Sequence, residues 1–239
     1  KQPSDFQAVD IELSISLELL GSKFICKTSS GDYKFDLNSP GIFNIYNALL
    51  AIAVGKHLNI ETSAIKNALL NTSVEGRVEV LPILDYASVI IDFAHNGVSL
   101  ENILSTLKEY KPNRLICLLG SVGMRAQIRR KELGDVAAKW SDICIITSDN
   151  PDFEDPDKII EDIALSFEGS DCLVIKEADR KTAIEKGIEL LEDGDIFLIA
   201  GKGHERFNLI RGVKEYFSDQ EVAREAANKL LKKDRTQVS

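Results

Sequence analysis

Arg114–Pro151 reads RLICLLGSVGMRAQIRRKELGDVAAKWSDICIITSDNP, and its pattern decides the fold. Leu115–Leu119 is a continuous apolar run broken by Gly120, Lys131–Trp140 has helical spacing, and Ile143–Thr147 is a second apolar run. Strands apolar on both faces and joined through a helix are what a buried parallel sheet requires. Only a crossover connection can return the chain to start a neighbouring strand in the same direction. Ligands of such sheets collect outside the carboxyl ends of the strands. Two polar loops fall there, Gly120-Ser-Val-Gly-Met-Arg125 and Ser148-Asp-Asn-Pro151, and are the first candidates for a site.

Working outward, Ser88–Phe93 predicts a buried strand that ends in Asp92-Phe-Ala-His95, followed by a helix over Leu100–Tyr110 with Ser99 as its N-cap. An Asp and a His together at a strand's carboxyl end point to an active edge. Downstream come a helix from Asp155-Pro156 to Phe167, a strand over Cys172–Lys176, a helix over Asp179–Leu191, and a strand over Ile196–Ala200 running into Gly201-Lys-Gly-His-Glu205. Phe217-Ser-Asp219 caps a final helix over Gln220–Leu231, and the polar tail Lys232–Ser239 is expected to fray. Residues 76–231 therefore read as a Rossmann-like, doubly wound, mostly parallel α/β domain with its unusual residues on four loops at one edge.

Before that domain, residues 5–36 alternate as antiparallel strands do, in Ile11–Leu17 and Lys23–Lys27, with Gly21-Ser22 and Ser29–Asp32 as turns. Pro40 and Gly41 punctuate the start of a long buried helix, on whose first turn Asn44 and Asn47, three apart, share a face as caps or as ligand groups. A helix over Thr62–Leu70, capped by Thr62 or Ser63, closes this part, and the boundary falls near Glu75.

At 239 residues the chain accommodates one core-bearing domain and a smaller piece. A net charge of −9 argues against nucleic-acid and anionic-membrane binding, which need clustered Lys and Arg. The scattered cysteines, Cys26, Cys117, Cys144 and Cys172, read as free thiols in a reducing cytoplasm. No signal peptide is visible and no apolar run approaches the roughly 20 residues that span a bilayer. Lys1 stands where a start methionine would, so a piece of a longer chain is expected.

The edge offers Arg77, Asp92, His95, Arg125, Arg129, Arg130, Asp149, Asn150, Lys202, His204 and Glu205. Arginines fork onto carboxylates or phosphates while Asp and Glu take an ammonium, so the mixture suits anionic and zwitterionic ligands. Arg129 and Lys131 fit a solvated helix start equally well. A dinucleotide-binding dehydrogenase domain is a rival, since Gly120-x-x-Gly123 and Asp149 loosely imitate its fingerprint, but the G-x-G-x-x-G spacing is absent. A non-catalytic nucleotide-binding or interaction module is another. No P-loop G-x-x-x-x-G-K-[ST] is present to cradle ATP phosphates.

Taken together, the ordered motifs resemble the Mur ligases: Gly41-Ile-Phe-Asn-Ile-Tyr-Asn47, Glu75-Gly-Arg77, Asp92-Phe-Ala-His95, Gly120–Arg125, Asp149-Asn-Pro151, Gly201–Glu205 and Phe217-Ser-Asp219. Within that family the pattern is nearest to the branch that adds the third amino acid of the peptidoglycan stem peptide. The resemblance implies an ATP- and Mg2+-dependent amide ligase that activates a UDP-N-acetylmuramoyl-L-Ala-D-Glu carboxylate as an acyl phosphate for attack by an amine. It implies a cytoplasmic monomer acting on small molecules, a folylpolyglutamate-type ligase being the neighbouring alternative. Residues 1–75 would be the end of the central (ATPase) domain and residues 76–239 the C-terminal domain. The P-loop and metal site would lie upstream, and this chain alone would not ligate. By the same resemblance Asn44, Asn47, Arg77, Asp92 and His95 would contact the nucleotide, and Arg125, Asp149, Asn150, Asp152, Gly201 and Glu205 the incoming amino acid. Departures are Phe93 for tyrosine, Met124 and Ala126 for acidic residues, and Arg129-Arg130-Lys131 for Lys-Arg-Pro. Members that use meso-diaminopimelate carry arginine where this chain has Asp152. The acidic Asp152, Glu154 and Asp155 would repel a distal carboxylate and suit an amine, which favours L-lysine as the added residue, with ornithine next.

Overall fold

The computed structural model describes residues 4–16, 19–125 and 127–237. Leu17, Ala126 and the last two residues of the expected tail, Val238 and Ser239, lie outside these. The chain divides into two compact units, Lys1–Val74 and Glu75–Ser239.

The first unit is a three-stranded antiparallel meander, β1 (Phe6–Ser16), β2 (Leu19–Thr28) and β3 (Gly31–Leu37), with helices α1 (Ile42–His57) and α2 (Thr62–Asn71). Its core is Phe24, Cys26, Phe35, Leu37, Ile45, Ala48, Ile52 and Ile65, the two phenylalanine rings stacked at 5.7 Å. Gly21-Ser22 is not a turn but lies within β2, where Ser22 pairs with Leu37. A Cβ on Gly21 would sit 2.4 Å from the Leu37 carbonyl oxygen, so the glycine serves a close strand approach. Nor do Thr62 and Ser63 cap α2: its N-cap is Glu61, with no side-chain capping bond.

The second unit is a six-stranded sheet in the order β4 (Glu79–Leu81), β5 (Ser88–Asp92), β9 (Ile196–Ala200), β6 (Leu115–Leu119), β7 (Ile143–Ile146), β8 (Leu173–Lys176). All neighbours are parallel except the short edge pair β4–β5. β5, β6, β7 and β9 are buried along their whole length, the consequence of helices on both faces. α3 (Gly97–Glu109), α4 (Gln127–Trp140) and α5 (Pro156–Ala164) form one layer; α6 (Arg180–Glu189) and α7 (Asp219–Gln237) form the other, packed on Val89, Ile91, Ile116, Leu118, Phe197 and Ile199. This is the doubly wound α/β architecture that the apolar runs predicted.

Several boundaries moved for local reasons. α3 starts at Gly97 rather than Leu100, because the Asn96 side chain, not Ser99, takes the capping role by accepting from the Ser99 amide. α4 begins four residues before Lys131, and α5 ends at Ala164 with a 3₁₀ turn over Leu165–Phe167. α7 continues to Gln237, so the tail from Lys232 is helical that far, in keeping with its run of helix-forming residues. Residues 206–216, unassigned from sequence, form the hairpin β10 (Phe207–Ile210) and β11 (Val213–Tyr216) around Arg211-Gly212, whose φ values of 49° and 78° are those of a two-residue primed turn.

The sheet-to-α6 contact is tight at one place. A Cβ on Gly187 would lie 2.2 Å from the ring of the buried Phe197. Gly187→Ala should therefore lower the urea midpoint: overpacking costs ~1–3 kcal/mol, against ~1 kcal/mol of helix propensity gained. A raised midpoint would show that the ring yields freely.

Candidate functional site

The carboxyl ends of β5, β9, β6 and β7 lie side by side, since Asp92 pairs with Ala200 and Leu119 with Ile146. Their loops carry two separate groups of polar residues.

The first group surrounds Phe93. The Arg77 guanidinium sits 4.4 Å from the ring centroid, and the His95 and His204 rings lie 4.8 and 5.3 Å from it. Arg77, His95 and His204 are exposed. His95 Nδ1 is 2.9 Å from the Phe93 carbonyl oxygen, which turns the imidazole's other face outward. Asp92 is buried beneath, and its two carboxylate oxygens accept from the amides of Val78 and Ala94 at 2.8 and 2.7 Å. Burial pushes its pKa above the usual value, against the pull of those two amides and of Arg77. Asp92 thus shapes the Arg77-Val78 turn.

The second group is built on buried charge. Arg180 Nε and Nη2 fork onto Asp219 at 2.8 Å each, and Nη2 also donates to the Ala200 carbonyl at 3.0 Å. Burial alone would lower the Arg180 pKa, but the Asp219 charge and its hydrogen bonds outweigh it and the group is held ionised. Above this pair Lys202, wholly buried, donates to Asn150 Oδ1 at 3.0 Å, and Asn150 Nδ2 donates to Glu205 at 3.1 Å. Gly201, at φ 113°, leaves room for Asp149, whose Oδ2 would be 2.7 Å from any Cβ there. The structure therefore brings Asp149, Asn150, Gly201 and Glu205 together. It adds Arg180, which the sequence reading missed, and gives Lys202 a place among them.

The acidic residues after Pro151 are not the free group their sequence suggested. Arg130, 1% exposed, forks onto both oxygens of Glu154 at 2.8 and 2.7 Å and reaches Asp162 at 2.7 Å. Glu154 also accepts from the Met124 amide, fixing the Gly120–Arg125 loop. The Asp152 carboxylate accepts from the Gly212 amide in the hairpin turn, and Asp155 caps α5. The negative charge assigned to the amino-acid end of the site is thus largely committed within the protein. Arg129 and Lys131 are exposed, as a solvated helix start requires. A signal for the buried arginines did exist: Arg130 is in step with Leu133, Gly134 and Ala137, and Arg180 with Ala183, Ile184, Gly187 and Ile188, each the first residue of its helix's buried stripe.

Arg125 is exposed and lines an open cleft of about 690 Å³ with Met124, Ile128, Phe153, Glu154 and Lys158. In the first unit, Asn44 donates from its side chain to the Pro40 carbonyl at 2.8 Å, while Asn47 is exposed. Asn44 thereby secures the entry to α1, whose N-cap is Gly41. Among the described residues no group of three or more His, Cys, Asp or Glu is placed to hold a metal ion, and no helix is long and apolar enough to cross a membrane.

Fold and edge together define a doubly wound α/β domain whose sheet carries paired charge at its carboxyl edge. The chain belongs to the Mur ligase, glutamate ligase domain family, which matches residues 76–203. It is 40% identical over 213 residues to a UDP-N-acetylmuramoyl-L-alanyl-D-glutamate–2,6-diaminopimelate ligase of Aquifex aeolicus (strain VF5), covering 89% of this chain and 44% of that protein. The same enzyme of Clostridium perfringens (strain 13 / Type A) is 38% identical over 93% of this chain and 45% of its own length. The chain thus spans about half the length of the curated relatives it matches. A solved structure of a UDP-N-acetylmuramoyl-L-alanyl-D-glutamate–2,6-diaminopimelate ligase superposes with a TM-score of 0.73 at 29% identity, over 97% of this chain and 47% of that one. Mycobacterium tuberculosis folylpolyglutamate synthase, at 18% identity, TM-score 0.63 and coverage of 95% and 48%, shares the fold.

Two measurements test the buried charges. Asp219→Ala should cost ~3–5 kcal/mol by stranding Arg180, whereas the double change Arg180→Met with Asp219→Leu should recover most of it; equal losses would refute the pairing. Glu154 is held at a pKa of about 2, below its ordinary 4.5, first by Arg130 and then by the Met124 amide. Because the folded value is the lower one, the stability it contributes is complete above about pH 4.5 and is lost as pH falls toward 2. A carboxyl NMR titration of Glu154 with a midpoint near 4.5 would contradict the fork.

Proposed function

We propose that the whole protein is an ATP-dependent ligase that joins a diamino acid, through its amine, to the D-glutamyl carboxyl of UDP-N-acetylmuramoyl-L-Ala-D-Glu in cytoplasmic peptidoglycan synthesis. The observation that carries this reading is the network of Asp149, Asn150, Lys202 and Glu205 at the sheet's carboxyl edge, on the motifs that resemble the Mur ligases. Support comes also from the names of the relatives. ATP would supply the leaving group that a carboxylate lacks, by phosphorylating it to an acyl phosphate. The cationic and aromatic cluster of Arg77, Phe93, His95 and His204 suits a nucleotide. Among the described residues no cluster of three or more metal-ligating side chains would hold a magnesium ion by itself, so no metal-dependent step is assigned to them. In this reading Glu205 would accept an ammonium of the amino acid and the exposed Arg125 would fork onto a carboxylate. We read residues 1–75 as the end of a central ATPase domain and residues 76–239 as the C-terminal domain.

For the amino acid itself, the argument for L-lysine needed free negative charge at Asp152, Glu154 and Asp155. Those groups are engaged by Gly212, Arg130 and the α5 terminus. With that support withdrawn, we take 2,6-diaminopimelate, which the relatives are named for, as the substrate. L-lysine stands second because position 152 lacks the arginine that the resemblance associates with diaminopimelate. The test is ADP release by the full-length protein with UDP-muramyl-dipeptide, Mg-ATP and, in parallel, meso-diaminopimelate, L-lysine and L-ornithine. Preference for meso-diaminopimelate is expected. Preference for lysine, shifted toward diaminopimelate by Asp152→Arg, would restore the charge argument. This chain alone should release no ADP above background, as it carries no P-loop.

A further inference from the structure

Lys202 is a buried lysine with an unusual set of partners. Its side chain is wholly shielded, yet among the described residues its ammonium makes one hydrogen bond, to the neutral Asn150 Oδ1 at 3.0 Å. The carboxylates of Asp149 and Glu205 stand off at 3.6 and 3.7 Å. Those separations are too long for hydrogen bonds but short enough for strong charge attraction. Asp149 Oδ1 is buried and accepts no hydrogen bond among the described residues. Glu205, 27% exposed, receives only the Asn150 amide, on Oε2. Asn150 cannot flip, because its Oδ1 also accepts from the Leu209 amide at 2.9 Å. The charged groups facing Lys202 from every side are Asp149 after β7, Glu205 on its own loop, Arg180 on α6 and Asp219 on α7. Two positive charges therefore meet three negative ones, leaving one in excess.

We propose that Lys202 is the positioning residue of the amino-acid pocket. Its charge stands between Asp149 and Glu205 without donating a hydrogen bond to either, so that Glu205, the partly exposed member of the two, stays free to accept an ammonium of the incoming amino acid. A lysine that merely filled the core would direct its protons at the carboxylates and close them. Here the ammonium is held back by Asn150, and its field acts at a distance. Without it, like-charge repulsion would raise the pKa of one carboxylate, turning an acceptor of the amine into a protonated group. Burial, with the Arg180 charge, pulls the Lys202 pKa down; Asp149, Asp219 and Glu205 oppose that pull without cancelling it.

This inference rests on the ligase reading above, and the experiment separates the two. In the full-length protein, Lys202→Met should raise the KM for the diamino acid roughly 10- to 100-fold, the range for one lost charged contact, and leave the KM for ATP within about 3-fold. The ratio of mutant to wild-type KM should shrink as pH rises and the raised carboxylate ionises. Equal changes in both KM values with no pH dependence would mark a structural role and overturn the proposal. Should Lys202→Met fail to fold, Lys202→Gln is assayed in the same way. Independently of activity, carboxyl NMR of this 239-residue chain should show Asp149 or Glu205 titrating at higher pH in the variant than in the wild type; unchanged titrations would overturn the proposal. If wild-type full-length protein ligates none of the amino acids yet the titration shifts as described, the ligase reading falls and the charge role of Lys202 stands.

Discussion

The ligand edge hangs on one buried guanidinium. Arg180 projects from the first turn of α6 and ties Asp219, at the start of α7, to the carbonyl of Ala200, where β9 ends. A helix layer and the central strand of the sheet are thereby fixed at the same point, one residue before the Gly201–Glu205 loop begins. An ion pair so deep is a costly construction, because each charge gives up its hydration and regains it only if the geometry is nearly ideal. What it provides that an apolar pair would not is direction. A fork onto a carboxylate and a third bond to a backbone carbonyl fix the arrangement more narrowly than packing of aliphatic chains does.

Arg130 repeats the arrangement on the opposite face. It too begins the buried stripe of its helix, and it too forks onto a carboxylate, Glu154, which in turn holds the Met124 amide. The β6 and β7 loops are thus braced against each other through side-chain charge. The β9 loop is braced through Arg180. Loops that must hold a polar ligand cannot be fastened by apolar packing, since their own faces are needed for the ligand; ionic anchors placed one layer below leave those faces open.

What the sequence revealed, and what it concealed, follows from the same physics. Strands β5, β6, β7 and β9 were legible because burial on both faces demands short unbroken apolar runs; a longer such run, Ala48–Val54, lies in α1. The loops were legible because Gly, Asp and Asn at strand ends are out of place in a sheet. The partners of the charges were not. Arg129, Arg130 and Lys131 look alike in one dimension, and only the 3.6-residue phase separates the buried one from its exposed neighbours. Asp152 and Glu154 looked like a shared negative surface, yet strand-end geometry turns one to Gly212, some sixty positions on, and the other to Arg130. Gly21 was read as a turn because a glycine needed for close strand contact has the same letter as one needed for a bend. The hairpin of Phe207–Tyr216 was signalled by Arg211-Gly212, but its strands are short and only partly buried, so the alternation that marks longer strands was missing.

The recognition problem is set by charge already present before any ligand arrives. Under the proposed ligase reading, a diamino acid would bring two ammonium groups and at least one carboxylate into this background of fixed charges. With Glu154 paired to Arg130 and Asp152 bonded to a backbone amide, the open cleft keeps two cations, Arg125 and Lys158, that form no ion pair among the described residues. Under the proposed reading, those two cations would receive a distal carboxylate without an arginine at position 152. Discrimination would then rest on a summed field rather than on one fork, and the part of it set by the exposed Arg125 and Lys158 would weaken with ionic strength, while the buried Lys202 network would be screened much less.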